Sequence, residues 1–257
     1  MKTSHRLLLL TLFLLCACAE NEAKDIATSN INPETYWGES PWPEIRKERI
    51  NTLLPNALKV AEVDCWLVIC RENNNDPIAD HIGGENAGGT AVFLFYNDEN
   101  GFHSKVFSPS GESTALDDLD IHDMVISVER GTSAVAMAAN FIKTQGFGAI
   151  AINSSDSNAM ADGLSYTQRE DLEKHLGDMS RRLVSSTNVV YEWLSIKLPA
   201  EVDVLRKAAQ LTADWQVEAY KQVVPGTSTD ADIAKFLKQK MTEYGVTDGW
   251  APDQNPN

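Results

Sequence analysis

Hydrophobic and polar positions divide the chain into an apolar opening, a patternless polar stretch and a long patterned remainder. The opening is an uninterrupted apolar run from Leu7 to Leu15. Periodicity begins only after Pro43, where Ile45, Ile50, Leu53, Leu54, Ala57, Leu58 and Val60 recur at helical spacing. Pro55 interrupts that pattern, which predicts one kinked helix or two short ones. Short apolar runs predict strands at Cys65–Cys70, Ala91–Tyr96, His103–Ser108, Met124–Val128 and Ala149–Asn153. Asn97-Asp98-Glu99-Asn100-Gly101 reads as a hairpin loop between the second and third of these. Helices are expected over Thr132–Gln145, Thr167–His175 and Val189–Lys197. Strands alternating with helices argue for an α/β domain with a mixed sheet.

A different arrangement follows Pro199. Val202, Leu205, Ala209, Thr212, Gln216, Ala219 and Val223 mark one face of a long helix, with Trp215 beside it. Pro225-Gly226 stops that helix. Thr229 and Asp232 have capping-box spacing ahead of a second helix carrying Ile233, Leu237, Met241 and Tyr244. A strand-like stretch begins at Val246. Two amphipathic helices need an apolar partner surface, and one strand does not supply it.

The first residues change the picture of where the protein resides. Lys2 and Arg6 precede the apolar run, as in a secretory signal, and the run is too short to span a bilayer. Two processing routes compete at its end. Leu15-Cys16-Ala17-Cys18 resembles a bacterial lipoprotein box, in which Cys18 is the lipid attachment site and the mature N-terminus. Ala17-Cys18-Ala19 also fits ordinary cleavage, which would leave a secreted or periplasmic protein. We favour lipidation, because a Cys after Leu-x-Ala at the end of such a run is otherwise rare. The chain is then a membrane lipoprotein facing the periplasm, with residues 19–43 as a polar tether after a signal of residues 1–18.

Composition adds exclusions. Against 22 Lys and Arg stand 37 Asp and Glu, a formal net charge of -15 that repels phosphate backbones and makes nucleic acid an unsuitable partner. Of four cysteines, Cys65 and Cys70 lie five residues apart on one expected strand. Their side chains therefore point to opposite faces and cannot pair. The five histidines are scattered, without His-x-x-x-His or Cys-x-x-Cys spacing, and read as surface or loop residues. Asp117, Asp118, Asp120 and Asp123 lack the EF-hand pattern, so they read as a solvated acidic loop. Gly83-Gly84 and Gly88-Gly89 lack the Lys and Ser/Thr of a phosphate cradle and read as a flexible loop. Residue chemistry alone names no activity.

The order of segments does more. Val190-Tyr191-Glu192-Trp193-Leu194-Ser195-Ile196-Lys197-Leu198-Pro199-Ala200-Glu201, followed by Leu205-Arg206-Lys207-Ala208-Ala209, resembles the junction that opens the pita-bread catalytic domain of creatinase and Xaa-Pro aminopeptidase relatives. Val224-Pro225-Gly226-Thr227-Ser228-Thr229-Asp230 is similar to the family's link into the second helix. Upstream, Ala151-Ile152-Asn153 and Ala161-Asp162-Gly163-Leu164-Ser165-Tyr166 resemble a stretch of larger bacterial members. Trp66–Glu72 with Asp76-Pro77 looks like their first strand and the loop after it.

This resemblance implies a creatinase-like N-terminal domain over residues 44–198 and the start of a pita-bread domain over 199–257. It implies a metallopeptidase that hydrolyses the bond preceding proline in proline-containing peptides, with prolidase-like and creatinase-like hydrolases as neighbours. A non-catalytic, surface-tethered binding module is the competing class. The relatives hold two divalent metal ions (Mn, Co or Zn) with two Asp, one His and two Glu beyond the second helix. Asp162-Gly163 is not the metal-binding motif, and no catalytic or metal residue is assigned in this chain. Relatives use the N-terminal domain to help build a dimer, so a homodimer is compatible with the resemblance.

Overall fold

The computed structural model describes residues 32–73 and 75–247. Cys18, the signal and the residues after Thr247, including most of the strand expected from Val246, lie outside the described residues. The described residues divide into two compact units, residues 39–221 and the flanking segments 32–38 with 222–247.

The larger unit opens with a helical segment that answers the Pro55 problem. Helix α2 (Trp42–Glu48), after the short α1 (Pro33–Trp37) of the other unit, passes into a π turn at Arg49–Leu53 and then into α3 (Leu54–Val60). The Leu54 amide donates to the Arg49 carbonyl five residues back. Proline cannot continue an i→i−4 ladder, and the wider turn absorbs it without ending the helix.

Strands β1 (Cys65–Cys70), β2 (Ala91–Asp98), β3 (Gly101–Pro109), β4 (Met124–Val128), β5 (Ile150–Ile152) and β6 (Leu183–Ser185) form one sheet in the order β4-β3-β2-β1-β5-β6. Only β2 runs against the others. The α/β class and mixed sheet read from the sequence are what the chain adopts. The hairpin loop is tighter than expected, because β2 and β3 pair as far as Asp98 and Gly101. Strand β6 and the short helix α4 (Ala79–Ile82) carry too little periodicity to be legible beforehand.

Strand period divides the core into two layers. Trp66, Val68 and Cys70 of β1, with Phe93 and Phe95 of β2, face α3 and α8 (Thr187–Ser195). Cys65, Leu67 and Ile69, with Val92, Leu94 and Tyr96, face α6 (Ala134–Gln145) and α7 (Tyr166–Leu176). Cys65 and Cys70 are free and buried on opposite faces, as their spacing requires. Helix α5 (Ser113–Asp117) places Leu116 on the first face. The acidic loop is more structured than expected: Asp120 pairs with Lys47 at 2.5 Å, and Asp123 accepts from the Ser104 amide at 2.8 Å.

Helix α9 (Pro199–Gln222) forms, but of the face marked by its pattern only Ala219 is buried. Leu211, Trp215 and Ala219, at strict i+4 spacing, are buried, whereas Leu205 is 55% exposed. Counting apolar residues favoured the longer stripe, and the large Trp215 side chain marks the buried one. In the smaller unit, α10 (Asp230–Glu243) begins at the expected capping box between Thr229 and Asp232. Within the stretch read as a tether, Pro33–Trp37 is helical. Its Trp37 indole donates to the Tyr244 carbonyl at 2.7 Å, and Tyr36 meets the Tyr244 ring edge-on at 4.9 Å.

Candidate functional site

Because β1, β3, β4, β5 and β6 run parallel, their carboxyl ends share one edge of the sheet, the edge where open α/β sheets bind ligands. Two features are built there: a buried polar network and an open crevice.

The network ties together segments distant in the sequence. Asn153, directly after β5, is 1% exposed. Its side-chain Oδ1 accepts from the Trp66 indole at 2.7 Å and from Ser186 Oγ at 2.6 Å. Its amide donates to Asp76 Oδ1 at 2.8 Å, which also accepts from the Ile78 amide at 3.1 Å. Asp76 Oδ2 is buried with no hydrogen-bond partner among the described residues. Burial raises the Asp76 carboxyl to about 6, with the Asp162 charge adding to it, against the lowering effect of the Ile78 and Asn153 bonds. A Cβ on Gly163 would lie 2.2 Å from Asp76 Oδ2. Only glycine fits there, whatever its backbone angles.

The crevice lies between β3 and β4. The chain leaves β3 toward α5 on one face of the sheet and leaves β4 toward α6 on the other. This divergence opens a cavity of about 740 Å³, lined by Pro109–Glu112, Glu129–Val135, Thr90 and Asp171 among others. Glu112 does not project freely into it. Its carboxylate accepts from the amides of Gly88 at 3.0 Å and Gly89 at 2.8 Å. The glycine pair, read as a flexible loop, thus does cradle an anion, and the anion is the protein's own.

A second cluster sits where α9 begins. Glu201 Oε2 accepts from the Leu198 amide at 2.8 Å and from Arg49 Nη1 at 2.6 Å. Arg49 is 1% exposed, donates to the carbonyls of Ile196 and Trp193, and lies over the Trp193 ring. The Trp193 indole returns a bond to the Arg49 carbonyl at 2.9 Å. In the sequence Trp193 and Glu201 stand out only by their order in the junction segment. Arg49, inside a helical pattern, carried no signal.

Of the histidines read as surface or loop residues, His81 of α4 and His122 of the loop before β4 are half-buried. His122 packs on Phe93 and Phe95, and its Nε2–H donates to the Ile82 carbonyl at 2.9 Å. His81 packs edge-on against Trp42. Neither lies in a ligand cluster: among the described residues no group of three or more His, Cys, Asp or Glu could hold a metal ion. The described residues therefore do not fit the two implied metal ions, and no catalytic step through them is derived. Among the same residues no helix is long and apolar enough to cross a membrane.

No family model matches the sequence, and no curated protein matches it. Among solved structures, the chain is similar to an Xaa-Pro dipeptidase from Bacillus anthracis at 15% identity and a TM-score of 0.49, over 78% of this chain and 49% of that one. It is similar to an X-Pro aminopeptidase from Thermotoga maritima at 17% identity and a TM-score of 0.48, over 73% of this chain and 49% of that one. It is also similar to dipeptidase PepE from Mycobacterium ulcerans at 19% identity and a TM-score of 0.49, over 78% and 50%. The chain spans about half the length of each of these structures.

Proposed function

We propose that this chain is the N-terminal portion of an exported metallopeptidase of the Xaa-Pro aminopeptidase type, which hydrolyses peptide bonds preceding proline. The observation that carries this reading is the convergence of separately matched segments. Trp66, Asp76, Asn153 and Gly163 come from three stretches that resemble the family, and they meet in one buried network. Glu201 of the junction segment is likewise held in place, at the start of α9. Coincidental short matches have no reason to interlock.

On this reading residues 44–198 form the creatinase-like domain, and α9 and α10 open the pita-bread domain that carries the two metal ions. Cys18 anchors the protein to a membrane through its lipid. The described part binds and orients through its sheet edge but performs no chemistry. The test compares the 257-residue chain with the product of its reading frame extended past Asn257, each given manganese or cobalt and an Xaa-Pro dipeptide. Chelator-sensitive cleavage by the extended product alone supports the proposal. Turnover by the 257-residue chain, or an extension without Asp, Asp, His, Glu and Glu ligands, overturns it.

One observation favours the alternative of a non-catalytic binding module. The crevice of about 740 Å³ at the carboxyl edge is complete within the larger unit. Saturable binding of a proline-containing peptide by the 257-residue chain without metal, lost on substituting Arg130 and Glu129, would support that module.

A further inference from the structure

We propose that Asp76 and Asn153 form a proton-controlled tie between the loops that follow β1, β5 and β6, closed while the Asp76 carboxyl is protonated and loosened when it ionises. The inference stands on geometry at the carboxyl edge and does not depend on the peptidase reading. Asp76 is 5% exposed. One of its oxygens is satisfied twice, by Asn153 and Ile78, and the other not at all among the described residues. A carboxylate spreads its charge over both oxygens, so the ionised form leaves a buried charge facing Gly163 with no donor to receive it. Space is too short for relief, since even a methyl group at Gly163 would lie 2.4 Å from the Asp76 carboxyl carbon.

The charges around Asp76 act in one direction. Asp162, from the loop after β5, is the charged group that bears on it, and it opposes ionisation. The other titratable neighbour is the Cys70 thiol on β1, which burial and the Asp76 charge both push up and so keep neutral. From the loop after β6 comes Ser186, which bears no charge and bonds to Asn153. The tie also holds backbone: Leu164 donates its amide to the Asn153 carbonyl at 2.9 Å, and Ser186 donates to the Ile152 carbonyl at 2.9 Å. Loosening Asp76 therefore loosens the loop from Asn153 to Leu164.

The readout is hydrogen exchange at the Leu164 amide, corrected for the pH dependence of intrinsic exchange. An ordinary solvated carboxyl at 3.8 in the open loop and about 6 in the closed one predicts roughly tenfold easier opening at pH 7 than at pH 5. Asp76→Asn carries no charge and should abolish this excess while exchange elsewhere is unchanged. Asp162→Asn, at an exposed position, should keep the excess and move its midpoint to lower pH. Exchange at Leu164 without excess pH dependence, or the same excess in Asp76→Asn, would overturn the proposal. Should Asp76→Asn fail to fold, an unmoved midpoint in Asp162→Asn overturns it equally.

Discussion

Arg49 and Glu201, separated by most of the larger unit in sequence, form an ion pair of 2.6 Å whose side chains are 2% and 16% exposed. The pair joins the π turn to the first turn of α9. Glu201 also caps the Leu198 amide, so one carboxylate starts a helix and neutralises a buried cation. Surface pairs contribute little, whereas removing one member of a buried pair leaves an uncompensated charge.

Glu201→Ala should therefore destabilise the larger unit by about 3 kcal/mol, and Glu201→Gln by less, because the amide oxygen still accepts. Arg49→Ala should cost at least as much, since it also frees the Ile196 and Trp193 carbonyls. Urea unfolding followed by tryptophan fluorescence measures all three. A change below about 0.5 kcal/mol for Glu201→Ala would place this pair among ordinary surface pairs.

Gly163→Ala adds a Cβ 2.2 Å from Asp76 Oδ2 and 2.6 Å from Pro77 Cδ. Backbone must shift to admit it, and overpacking of this kind costs about 1–3 kcal/mol. Gly111→Ala, where a Cβ meets nothing within 4 Å, is the control and should be near neutral. Equal melting temperatures for the two variants would contradict the packing described.

Burial lowers His122 to about 4, and the nearby Arg46 charge adds to this, against the Ile82 bond. Protonation would also put a proton on a buried Nδ1 that has no partner among the described residues. A folded value below the ordinary 6.5 means that the unfolded chain binds more protons between about 4 and 6.5. Stability should therefore rise with pH through that window, by roughly 3 kcal/mol from this residue alone. Asp76 acts with opposite sign: its raised folded value makes stability fall as pH rises from 3.8 to about 6. His122→Gln should flatten the rising limb and unmask the falling one. An unchanged stability–pH curve in that variant would show that His122 does not set the limb.

Cys18→Ser should move the protein from the membrane fraction to the soluble fraction, on the proposal that the Leu15-Cys16-Ala17-Cys18 segment directs lipidation. Mass spectrometry of the intact mature protein reads the same point directly. An unmodified chain beginning at Glu20 would instead establish ordinary signal cleavage.

What the sequence alone determined is local. Five strands stand where short β-branched and aromatic runs lie between turn residues, since strand pairing and burial are both set by period two. The opposite facing of Cys65 and Cys70, and the capping box of Thr229 and Asp232, follow from spacing of a few residues. Tertiary structure decided everything that rests on long-range neighbours. The buried stripe of α9 follows Leu211, Trp215 and Ala219, because packing rewards the largest side chain rather than the longest apolar count. Gly88 and Gly89 bind Glu112, and Arg49 meets Glu201, through partners 23 or more residues away that no local pattern encodes. Asp76 stood in the sequence as an ordinary Asp-Pro after a strand. It became a buried acid only when the sheet brought Asn153 and Gly163 against it, because desolvation is a property of the surroundings and not of the residue.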